Sequence, residues 1–170
     1  MKYVFIVLMA FVFLFLNFYV APVISFYGIG PDFILIFIVC VSPYIGITTV
    51  PLLAVLLGTA FDMVSNGGIF INLATYLITA VALMIGKIFI RDIELPICVV
   101  GTALFAIIKG FVAIIGMYVL ELANGISLVY FLKQLPSAIY CAALAFPIFY
   151  LCKWLCGIKI SRSDDRIIIG

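Results

Sequence analysis

The chain contains no histidine, and charged residues make up only 9% of its 170 positions. The missing imidazole removes the commonest general base and a leading metal ligand. No serine or cysteine stands beside a base, no phosphate-cradling glycine loop is present, and no two carboxylates lie close together inside an apolar segment. No catalytic residue is therefore assigned, an enzyme is not expected, and no cofactor is called for. The five cysteines, Cys40, Cys98, Cys141, Cys152 and Cys156, form no Cys-x-x-Cys pair. With no imidazole to complete a ligand set they read as small apolar packers, and no metal site is expected. The formal charge is only +2 and no basic patch exists, so nucleic-acid binding is excluded as a function class. The one long polar run is Lys159-Ile-Ser-Arg-Ser-Asp-Asp-Arg166, too short to be an extramembrane domain.

What fills the remaining positions is hydrocarbon: 68% of residues are hydrophobic and the mean hydropathy is +1.47. A soluble domain of this size needs a large polar surface, so the composition predicts an all-α, polytopic integral membrane protein. Residues 1–158 read as a single transmembrane helical domain, and residues 159–170 as a short charged cytoplasmic tail.

Residues 3–24 form an apolar run long enough to cross a hydrocarbon core, interrupted only by Asn17. The run is longer than a signal sequence and lacks a clean small-x-small cleavage site, so a retained anchor is expected. Residues 33–61 read as two short helices broken around Ser42-Pro43 and Gly46 to Pro51, because two prolines and a glycine interrupt the pattern. Further helices are predicted over residues 69–90, 96–120 and 130–156. Cytoplasmic loops collect Lys and Arg. Six crossings with both termini in the cytoplasm put Lys2, Lys87, Arg91, Lys153, Lys159, Arg162 and Arg166 on one side and leave only Lys133 outside.

Charge inside such a chain is expensive, so the few acidic and basic positions carry the functional argument. Asp32 follows Pro31 at the start of a helix, where a carboxylate caps free N–H groups and meets the positive end of the dipole. A structural role is the expectation there. Asp62 lies near the end of its helix, where the dipole disfavours a negative charge, so it needs a specific partner. That partner is either the turn Asn66-Gly67-Gly68 or another chain. Lys109 sits near the middle of an apolar helix, at about 2.5–3.5 kcal/mol on the insertion scale, and should face the bundle interior. Direct pairing with Asp62 requires the short third helix to be sunk inward; the alternative is a lysine satisfied by hydroxyls such as those of Thr48, Thr49 or Thr79. Lys109→Leu is expected to be neutral or stabilising for the fold, and a functional loss would mark a polar network. Beside it runs the small-residue stripe Ala103, Ala106, Gly110, Ala113, matched by Ala138, Cys141, Ala142 and Ala145, which predicts close helix approach.

The pattern Pro31-Asp32-Phe33 opening an apolar helix, then Gly46, then Gly58-Thr-Ala-Phe-Asp62, Ser65, a glycine turn, Asn72 and Tyr76 resembles the rod shape-determining protein MreD family. The likeness covers nearly the whole chain. It implies a non-enzymatic subunit of the bacterial cell-elongation (Rod) complex in the cytoplasmic (inner) membrane. The implied partners are MreC directly, with MreB, RodA and a class B penicillin-binding protein in the same complex, together with membrane lipid. Such proteins are similar in fold to the substrate-binding subunits of energy-coupling-factor transporters, so a vitamin-binding subunit is the alternative reading. The transporter subunits show an Ala-x-x-x-Ala docking motif in the first helix; here Ala10 and Ala21 are too far apart. Pro31, Asp32, Gly58, Asp62, Gly67, Gly68 and Asn72 are the motif residues. The topology predicts that Asp32, Asp62 and the glycine turn meet at the outer end of the bundle as a docking surface for MreC.

Overall fold

The computed structural model describes residues 2–25, 29–64, 71–89, 95–119 and 128–155. Among them the chain is helical, with no β-strand. The first segment runs as α1 (Lys2–Phe15), a π-helical turn (Leu16–Val20) and α2 (Ala21–Ile24). The next helices are α3 (Phe33–Val41), continued by a 3-10 turn (Ser42–Tyr44), and α4 (Thr49–Val64). The remaining helices are α5 (Ile71–Phe89), α6 (Leu95–Val119) and α7 (Leu128–Leu155). The expected break within residues 33–61 is present, and it falls between Tyr44 and Thr49, after Pro43 and across Gly46. Proline cannot continue the helical ladder, and here the chain leaves it through the 3-10 turn.

Three stretches are long and apolar enough to cross a membrane: Val4–Ile24, Leu95–Val112 and Gln134–Trp154. They are apolar on both faces. In α1, Ile6, Ala10 and Phe13 are buried, whereas Val4, Leu8, Phe11 and Phe15 are exposed. A helix hydrophobic all round belongs in a core or in lipid, and no described residue covers these exposed faces. The helices over Phe33–Tyr44, Thr49–Val64 and Asn72–Lys87 are shorter but apolar.

The centre of the molecule is α3. All nine of its residues, Phe33 to Val41, are buried, and it packs against α1, α4, α5, α6 and α7. Phe13 of α1 stacks on Phe37 at 4.8 Å between centroids. On α7 the small residues Ala138, Cys141 and Ala145 are buried, and Cys40 of α3 donates from Sγ to the Ala145 carbonyl at 3.7 Å. The predicted small-residue seam is thus internal, joining α7 to α3 and, through Ala106 and Gly110, to α6. Nine residues at ~1.5 Å each make α3 only about 14 Å long.

Candidate functional site

Asp32 is the N-cap of α3: its Oδ1 accepts from the Leu35 N–H at 3.0 Å, and its carbonyl accepts from the Ile36 N–H at 3.1 Å. The capping role expected from the sequence is present. The same carboxylate does more. It forms an ion pair with Lys109 of α6 and accepts from the Tyr76 hydroxyl of α5 at 3.1 Å to Oδ1 and 2.9 Å to Oδ2. Lys109 also donates to the Tyr76 hydroxyl at 3.3 Å, and its ammonium lies 5.0 Å from the Tyr76 ring centroid. One carboxylate thereby ties the start of α3 to α5 and α6.

Neighbouring residues complete the support. Asn17 sits in the π-helical turn, and its Oδ1 accepts from the Phe33 N–H at 2.9 Å. The Asp32 N–H reaches Cys141 Sγ of α7 at 3.3 Å. The π turn is the local device that brings Asn17 to α3, and such bulges recur where a helix must aim one side chain out of its regular register. Four helical segments and the turn before α3 converge on a point with Tyr76 fully buried and Asp32 only 9% exposed.

The second carboxylate behaves differently. Asp62, in the last turn of α4, accepts from Asn72 Nδ2 and from the Leu73 N–H, both at 2.9 Å. Leu73 is the third residue of α5, so this carboxylate caps the next helix instead of its own. The dipole mismatch inferred from its position disappears: the negative charge faces the positive end of α5. Gly58, one turn earlier on the same face of α4, explains the spacing. A Cβ there would stand 2.7 Å from the Leu73 Cα, a distance no side chain accepts against backbone. Gly58 lets α5 begin against α4, and Asp62 then caps it.

Two expectations are corrected. Lys109 is not satisfied by threonine hydroxyls, since Thr79 donates back to the Thr75 carbonyl at 2.9 Å and Lys109 is taken by Asp32 and Tyr76. Asp32 and Asp62 do not form a common outer surface, because Asp32 is buried and the two carboxylates hold different partners. The turn partners Gly67 and Gly68 lie outside the described residues. Tyr76 stands in the resemblance pattern without an assigned role, and the structure makes it a member of the site. Its signal was a tyrosine on the α5 face one turn beyond Asn72, which directs a hydroxyl inward where only an aliphatic side chain would pack without a partner.

These features define an all-helical protein with three helices able to cross a membrane and an ion pair between a buried aspartate and a half-buried lysine. No protein-family model, curated protein or solved structure matches the chain.

Proposed function

We propose that this chain is a non-enzymatic, multi-pass subunit of the bacterial cell-elongation complex of the MreD type, held in the cytoplasmic membrane and bound to MreC. The observation that carries the reading is where the motif residues fall. Pro31-Asp32 meets Tyr76, and Gly58 with Asp62 meets Leu73 and Asn72, so the positions that carry the resemblance form two interlocks between helices. A likeness arising only from shared hydrophobicity would scatter over lipid-facing residues. On this reading all six helical segments cross, the shorter ones included, and both ends lie in the cytoplasm. MreB, RodA and a class B penicillin-binding protein are the further members of the assembly. The alternative transporter reading loses support at α1 and α2, because Ala10 and Ala21 are buried and offer no small-residue face to a partner.

Two measurements test the proposal together. Reporter fusions at Gly28, Asn66, Asp92, Ile126 and Ile168 should read outside, outside, inside, outside and inside; opposite sides for Asp92 and Ile168 would overturn the six-crossing topology. Affinity-tagged protein from the native host should retain MreC in detergent, and its depletion should round the cells. Depleted cells that stay rod-shaped, with no MreC retained, contradict the assignment.

A further inference from the structure

A cavity of about 360 Å³ adjoins the ion pair, within the range of roughly 300–1,000 Å³ typical of small-molecule sites. Asn17, Leu35, Phe61, Ala106, Lys109 and Gln134 are among its walls. Its polar side is rich in donors. Both oxygens of Asp32 are already occupied, by the Leu35 N–H, Tyr76 and Lys109. An ammonium has three donors, and Lys109 directs two of them to Asp32 and Tyr76. Asn17 uses its oxygen on the Phe33 N–H, leaving an amide NH₂ that bonds to no described residue. Gln134 makes no hydrogen bond among the described residues, and its side chain lies directly across Gly110, where any Cβ would collide with it.

A ligand for this space needs oxygen acceptors for these donors and an apolar body for Leu35, Phe61 and Ala106. A cation is disfavoured, because the Asp32 charge is already neutralised. A dianion is disfavoured as well, since Lys109 is the one cation among the lining residues and it is already paired. We propose that the cavity binds a small molecule with an apolar body and a carboxyl or carboxamide group whose oxygens accept from Lys109, Asn17 and Gln134. The proposal is independent of the elongation-complex reading, and its test uses purified protein alone.

The full chain in detergent is heated with benzoate, benzamide, benzylamine or phosphatidylglycerol, and the unfolding midpoint is followed against concentration. Benzoate and benzamide should raise the midpoint saturably by about 2 °C or more, and benzylamine should not. Ala106→Leu, which fills the cavity, should abolish the shift, and Gln134→Leu should weaken it. Gln134→Leu carries the test alone if Ala106→Leu does not fold, because the Gln134 amide holds no described partner. An equal shift with benzylamine, a full benzoate shift in Gln134→Leu, no shift with any probe, or a shift with phosphatidylglycerol alone would each overturn the proposal.

Discussion

Asp32 and Asp62 are the same residue type at the ends of neighbouring short helices, yet they hold the molecule in different ways. Asp62 acts locally, capping α5 across the α4–α5 connection with partners ten and eleven residues away. Asp32 acts globally, joining α3 to Tyr76 and Lys109, which lie forty-four and seventy-seven residues away. The difference lies in burial. Asp62 is half-buried where α4 meets the start of α5. Asp32 begins a helix whose nine residues are all buried, and its carboxylate is held by the Leu35 N–H, Tyr76 and Lys109, with a cavity on one side. In lipid the apolar burial of α3 supplies little driving force, because lipid tails solvate hydrocarbon as well as leucine does. Packing and the polar cluster therefore decide where α3 sits.

The contrast can be broken by substitution, and the ranking of the effects is the prediction. Lys109→Met should be the most damaging, at about 3–5 kcal/mol, because it leaves the Asp32 carboxylate buried without its cation. This reverses the expectation for Lys109→Leu that holds when the lysine is an isolated charge. Tyr76→Phe should follow at about 1.5–3 kcal/mol, the range for a hydrogen bond to a charged group, with the loss read as a lowered unfolding midpoint in detergent. Gly58→Ala should lose about 1–3 kcal/mol by forcing α4 and α5 apart, and crosslinking between cysteines placed on those helices should fall with it. Asp62→Ala should be mildest, at about 0.5–2 kcal/mol, as befits a helix cap. Its abundance should drop modestly, and MreC retention should drop only in proportion; selective loss of MreC at normal abundance would return Asp62 to a docking role.

Much of this was legible in the residues. Helix positions followed from hydrophobic runs broken by Pro43 and Gly46, and the observed ends lie close to those read from the sequence. The small-residue seam was visible as a three-and-four spacing, and Asp32 was recognisable as a cap from Pro31 before it. The pairing of Asp32 with Lys109 is not legible in the sequence, because it depends on how the short, fully buried α3 is seated against α5 and α6, and nothing in the local pattern around either residue records that packing. The partner of Asp62 is hidden for a related reason: its own helix presents an unfavourable dipole, and the favourable N-terminus of α5 comes beside it only through packing.

The central claim is that Asp32 and Lys109 form one energetic unit within the bundle. A double-mutant cycle of Asp32→Asn and Lys109→Met, scored by unfolding of the purified protein in detergent, tests it most directly. Asparagine keeps the helix cap, so the cycle isolates the charge pair. Each single substitution should lose about 3–5 kcal/mol, and the double variant should lose clearly less than their sum, since neither charge is then left without its partner. Losses that add to within about 0.5 kcal/mol would mean that the two residues act independently, and would contradict the account.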